Sequence, residues 1–133
     1  NQKPMIKKIL AALLLFPTFA YAQINTDRVM MIARNALYFE DYVLSIQYFN
    51  QVINAKPYLY EPYFFRGLAK INLDDYQGAE ADCDAAIDRN PFVVGAYQIR
   101  GLARIIRINT MVLLRIIKKR STLIRRILLF GTI

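Results

Sequence analysis

Six carboxylates crowd one stretch of the chain: Asp74, Asp75, Glu80, Asp82, Asp84 and Asp88. Such a group could hold a divalent cation, or supply an acid and a base to a reaction. Its spacing fits neither role. No loop of calcium-binding periodicity is present. Asp74-Asp75 fall on an expected turn and Asp82-Asp84 on an expected exposed helix face, with no cleft implied. We therefore expect a solvated helix face. Arg66 and Arg100 could contact an anion, but solvated positions or positions between successive units of the chain fit arginine at these places better. Tyr58, Tyr60, Tyr63, Phe64 and Phe65 could form a binding platform; their helical spacing points to core. Cys83 reads as a small core residue.

Composition removes whole classes of chemistry. The chain has no His, no Trp and one cysteine. An intramolecular disulfide needs two cysteines, and zinc sites are built from Cys and His. A Ser-His-Asp or Cys-His unit would lack its base. No catalytic, cofactor-binding or metal-ligating residue is assigned, no cofactor is expected, and an enzyme is not expected.

The 133 residues suffice for one domain with one modest core. The net charge of +8 is unevenly spread. Residues 1–90 carry 9 Lys+Arg against 10 Asp+Glu, whereas residues 91–133 carry 9 Lys+Arg and no acid. A basic tail of this kind could seek anionic lipid or nucleic acid. Nucleic acid is not expected as a partner, because the tail lacks interleaved aromatics.

The first residues read as an address. Lys7 and Lys8 follow Met5, an apolar run spans Ile9 to Phe16, and Ala20-Tyr21-Ala22 precedes Gln23. A basic start, an apolar stretch and small residues at −3 and −1 describe a secretory signal peptide over residues 1–22, with Asn1–Pro4 lying upstream of a start at Met5. The stretch is short for a membrane span, which takes roughly 20 residues. Export to the periplasm or the exterior is expected; the alternative is membrane association through an uncleaved segment.

Beyond it the chain repeats itself with a period of about 34 residues. Pro57 and Pro91, Tyr63 and Tyr97, Arg66 and Arg100, Gly67 and Gly101, Leu68 and Leu102, Ala69 and Ala103 are so related, as are Asp41 and Asp75, and Tyr42 and Tyr76. A fixed period in this range means stacked supersecondary units. Each unit reads as two helices. Asn25 and Thr26 cap a helix to about Leu37, with Met30, Ile32, Ala33, Ala36 and Leu37 inward. Phe39-Glu40-Asp41 turns the chain. A helix from Tyr42 to Ala55 follows, with Leu44, Ile46, Phe49, Val52 and Ile53 inward, and Pro57 ends it. The next pair covers Pro62 to about Ile71, then Tyr76 to Arg89 with Ala79, Cys83, Ala86 and Ile87 inward. A third first-helix covers about 92–105.

These residues resemble the tetratricopeptide repeat (TPR). Tyr63 matches the family's large aromatic, Gly67 its glycine, Ala79 and Ala86 its small residues, and Pro91 its closing proline; Gly101 repeats the glycine. Cys83 and Lys70 depart from the usual aromatic and tyrosine. The resemblance covers about residues 26–107 and implies an all-α helix-turn-helix solenoid of about two and a half repeats: 23–57, 58–91 and the half repeat 92–105. It implies an interaction protein, a scaffold that binds a protein or peptide partner on its concave face, and with the signal peptide an exported bacterial one is expected. The groove positions it implies are Asp27, Met30, Arg34 and Leu37, then Glu61, Phe64, Leu68 and Ile71, with Gln98 and Leu102. The basic and asparagine pattern by which some members grip a terminal carboxylate is not evident here.

Residues 106–133 break the pattern. The repeat predicts a turn near Asn109, a second helix and a proline at position 125. Instead the tail is basic and apolar, expected to be helical or poorly ordered. Arg115, Lys119 and Arg120 lie seven residues after Ile108, Val112 and Leu113, which mixes charge with apolar side chains and speaks against a clean amphipathic membrane helix. Written in synonymous codons with one A restored near Ile105, the tail can be read in the adjacent frame as INQDKYYGAIEDYKKALDFDPQDITFWHN. That string is a second TPR helix in register, with its proline one full period after Pro91. A single-base deletion near Ile105 is therefore expected. It would leave the third unit's apolar face in need of cover. Binding of lipid or membrane through the tail is the alternative function.

Overall fold

The computed structural model describes residues 3–21 and 25–131. It comprises six helices: α1 (Lys3–Tyr21), α2 (Thr26–Tyr38), α3 (Tyr42–Ala55), α4 (Glu61–Asn72), α5 (Tyr76–Arg89) and α6 (Val94–Phe130). No strand occurs among the described residues. Each helix from α2 to α6 packs on the next, and α2 and α6 also touch α4. The result is an all-helical solenoid in which α2, α4 and α6 form one layer and α3 and α5 the other.

The turns show why the repeat sets this path. Asn25 caps α2, its Oδ1 accepting from the Arg28 backbone N–H at 3.1 Å. Asp41 caps α3 by accepting from Leu44 N–H at 3.2 Å, and Asp75 caps α5 by accepting from Gly78 N–H at 2.9 Å. Such caps satisfy amide donors that the first helical turn leaves unpaired. Just before them, Glu40 and Asp74 adopt φ of 63° and 61°. This left-handed conformation reverses the chain between paired helices, at some steric cost for residues bearing a Cβ. Pro57 and Pro91 are also used alike: Tyr63 Oη donates to the Pro57 carbonyl at 3.1 Å, and Tyr97 Oη to the Pro91 carbonyl at 3.0 Å.

The core is narrow and made largely of small residues. Ala33, Ala69, Ala79, Ala86, Ala96 and Ala103 are fully buried, with Phe49, Val52 and Cys83 as the larger members. Small side chains let helix axes approach closely. Gly67 marks a close approach of α4 and α5, since a Cβ there would sit 3.3 Å from both Asp82 Cβ and Cys83 Sγ. Burial raises the Cys83 thiol to about 11, with the nearby Asp82 and Asp84 charges adding to the shift. The inward faces are smaller than the sequence predicts. Ile32 and Leu44 are exposed, whereas Ala33 and Ala36 are buried as expected and Ser45 is buried beside them.

Two segments differ from the repeating body. Helix α1 packs against none of the other helices among the described residues. The expected cleavage point, Ala22-Gln23, lies outside the described residues. No described helix is long and apolar enough to cross a membrane. At the other end, α6 does not turn near Asn109. It runs unbroken to a left-handed Gly131, whose N–H donates to the Ile127 carbonyl at 2.9 Å. No proline or glycine interrupts it after Gly101. The tail is thus helical, and it leads straight away from the third unit without covering it.

On this helix the tail's charges are less mixed than heptad spacing predicts. At 3.6 residues per turn, Arg115, Lys118, Lys119, Arg125 and Arg126 fall within an arc of roughly 120°. Leu113, Ile116, Ile117, Ile124 and Leu128 fall opposite, with Arg120 alone of the cations among them. Ile108, Met111 and Leu129 sit among the cations. Every residue from Ile108 to Gly131 is exposed.

Candidate functional site

The layer of α2, α4 and α6 opens into a hollow of about 660 Å³ between α2 and α4. Its α2 wall is Asp27, Met30, Met31, Arg34, Asn35, Leu37 and Tyr38, and its α4 wall is Phe65, Leu68 and Asn72. Glu40 and Tyr42 close one end. Of the positions implied by the resemblance, Asp27, Met30, Arg34, Leu37 and Leu68 line this hollow. Phe64 packs on the core cluster around Tyr63 and Cys83, and Glu61 and Ile71 are half-buried outside the hollow. Gln98 and Leu102 are exposed on α6. Sequence reasoning misses Met31, Asn35, Tyr38, Phe65 and Asn72. They neighbour expected groove positions along the helix, and a stripe wider by one residue would include them.

The floor of the hollow is held by stacked aromatics. Phe65 stacks on Phe49 of α3, with ring centroids 6.0 Å apart and planes 12° from parallel. The Arg34 guanidinium lies 5.0 Å above the Phe65 ring. That contact fixes a cation at the edge of an otherwise apolar surface. A bound chain would meet apolar side chains in the middle, with Arg34, Asn35 and Asn72 as hydrogen-bond donors and Asp27 and Glu40 as acceptors. Of the aromatic run, Tyr63 is core, Phe65 is floor, and Tyr58 projects into solvent.

The acidic stretch has structural work, and one member departs from expectation. Asp82 is buried rather than solvated, at 4% exposure. Arg66 donates to it from Nε at 2.8 Å and Nη2 at 2.5 Å, and Lys70 Nζ lies 2.9 Å away. The carboxylate is buried because three charged donors replace its water. Arg66 also donates from Nη1 to Asn50 Oδ1 of α3 at 2.7 Å, tying two units together. Arg100 reaches Asp84 of the preceding unit at 2.8 Å. Glu80 accepts from Arg104 at 2.8 Å and Arg107 at 2.9 Å, and these guanidiniums hold its carboxyl below the usual range. Asp74 accepts from the Tyr76 hydroxyl at 2.6 Å, which raises the phenol. Among the described residues, no three His, Cys, Asp or Glu side chains are grouped to hold a metal ion.

No protein-family model matches the chain, and no curated protein does. Solved structures do. The first TPR of Spaghetti (RPAP3), bound to the HSP90 peptide SRMEEVD, is 25% identical with a TM-score of 0.57, over 60% of this chain and 65% of that one. The TPR2B domain of yeast Sti1, in a complex with pHsp70, is 24% identical with a TM-score of 0.58, over 60% and 64%. The Arabidopsis OM64 TPR domain is 23% identical with a TM-score of 0.62, over 63% and 69%. The chain thus spans a little under two thirds of the first two. Its helices pair and stack as theirs do, and the fold is a TPR-type helical solenoid.

Proposed function

We propose that this chain is a non-enzymatic interaction module that binds an extended or helical peptide segment of a partner protein in the hollow between α2 and α4. The observation that carries the reading is the hollow itself: apolar side chains at its centre, polar groups at its edges, on the layer of a solenoid read as its concave face. Two of the similar domains were solved with chaperone peptides or a chaperone complex, which supports peptide binding as the mode. The groove here is read as favouring apolar side chains over a terminal carboxylate, because Arg34 is its single cation and is engaged on Phe65. A peptide array probed with the full chain tests this. Bound peptides should carry apolar anchors and should be lost by Leu68→Glu and by Met30→Glu. Peptides that bind both variants as well as the parent would move the site elsewhere.

The reading includes export, with residues 1–22 removed as a signal peptide and the repeats working outside the cytoplasm. Mass measurement of the chain recovered from an exporting host tests it, since removal after Ala22 leaves Gln23 first. The units 23–57 and 58–91 and the half unit 92–105 are read as the interaction body. Residues 106–133 are read as the product of a single-base deletion near Ile105. The nucleotide sequence past codon 133 decides that point. TPR codons continuing in the adjacent frame support it, and early stops there overturn it.

A second reading is favoured by the cation arc on α6. An exposed helix with Arg115, Lys118, Lys119, Arg125 and Arg126 along one side can lie on an anionic bilayer. Vesicles containing phosphatidylserine should then bind the full chain and not a chain ending at Arg107.

A further inference from the structure

Gly67 and Gly101 stand one repeat apart, in equivalent turns of α4 and α6, yet their surroundings are opposite. Atoms of Ala79, Asp82 and Cys83 crowd Gly67 within 3.4 Å, whereas nothing lies within 4 Å of a Cβ built at Gly101. The neighbours follow suit. Tyr63 is 9% exposed and Tyr97 is 41% exposed. Arg66 uses Nη1 toward the preceding unit and gives Nε and Nη2 to Asp82. Arg100 likewise uses Nη1 toward the preceding unit, on Asp84. Its Nε and Nη2 have no acceptor among the described residues, and the place of Asp82 falls to Ile116, further along the same helix.

The geometry points to an open helix seat on α6, around Tyr97, Arg100 and Gly101, that accepts an acidic amphipathic helix from another polypeptide. The chemistry of that helix follows from α5. A small residue must rest on Gly101, as Ala79 does beside Gly67, and three residues later a carboxylate must reach Arg100, as Asp82 reaches Arg66. Charge argues against a second copy as occupant. Residues 91–133 contain no acid, so two such faces repel, and the one Ala-x-x-Asp helix of the chain is already seated on α4. This seat is distinct from the hollow between α2 and α4 and does not depend on peptide binding there.

The test uses the full chain and a labelled synthetic peptide, DKYYGAIEDYKKALDFDP, followed by anisotropy. Saturable binding is expected, weakened at least tenfold by Arg100→Ala, by Gly101→Leu, and by a peptide in which IED becomes IEN. The IEN change should have little further effect on the Arg100→Ala protein, because both remove the same contact. Leu68→Glu should leave binding unchanged. Gly101→Leu enters open space, so its folding is checked simply by unchanged helicity. Absence of saturable binding overturns the proposal, as does binding indifferent to Arg100 and Gly101. A self-associated chain that the peptide does not dissociate would show the seat closed by a second copy and would overturn it too.

Discussion

Arg66 grips Asp82 across the α4–α5 interface with two nitrogens on two oxygens, at 2.8 and 2.5 Å, and the carboxylate is almost wholly buried. Lys70 completes the site from the next turn of α4. Removing the carboxylate leaves two cations at a packed interface without a counter-charge. Breaking a buried pair from one side costs about 3–5 kcal/mol, and the low end applies because Arg66 and Lys70 reach solvent at their margins. Asp82→Ala should therefore lower unfolding stability by about 3 kcal/mol in urea, followed by helical circular dichroism. An unchanged midpoint would show that the pair is exposed in solution.

The same residue type, one repeat apart, should respond with opposite sign. Gly67→Ala places a methyl group 3.3–3.4 Å from Asp82, Cys83 and the Ala79 carbonyl, so tightly packed atoms of α5 must give by a few tenths of an ångström. Overpacking costs about 1–3 kcal/mol and outweighs the gain of up to about 1 kcal/mol from replacing a helical glycine. Gly101→Ala meets nothing within 4 Å, so only the gain remains. Paired thermal melts should move down for the first variant and up for the second. Both moving the same way would contradict the open and closed environments.

The repeat period, the turns at Asp41 and Asp75, the cap at Asn25, and the bounds of α3 and α5 are legible in the sequence because local chemistry sets them without tertiary context. Asp82 is misread as solvated for the converse reason. Its burial depends on Arg66 and Lys70 arriving from another helix, and no pattern within α5 reveals them. The continuous α6 escapes because a repeat predicts a turn from its neighbours, while the tail carries no proline or glycine between Gly101 and Gly131 to break the helix. Phe65 escapes as a groove residue because its role rests on Phe49, in the preceding helix, stacking beneath it.

Glu80 makes part of the stability pH-dependent. Arg104 and then Arg107 hold its folded carboxyl below the ordinary value. A depressed folded pKa gives stability that is fully present above the unfolded value and is lost as pH falls through the folded one. Parent and Glu80→Gln should thus differ in melting midpoint at neutral pH. The gap should shrink as pH falls below the ordinary carboxylate value near 4.5. A gap that persists in strong acid, with the carboxyl protonated, would mean that Glu80 acts through packing rather than charge.

Deleting residues 108–133 should separate helix content from stability. Every described residue from Ile108 onward is exposed, whereas Arg107 still reaches Glu80. An unpacked helical extension is held only by propagation from the turns before it. It buries no surface that would couple it to the repeats. Ending the chain at Arg107 should therefore reduce total helicity and exposed apolar area yet leave the urea midpoint of the repeats within about 0.5 kcal/mol of the parent. Solubility should rise, since the deletion removes a run of exposed Ile, Leu and Phe side chains. A markedly lowered midpoint would mean that the tail folds back onto the face of α6 in solution, and the seat at Gly101 would then be filled from within the chain.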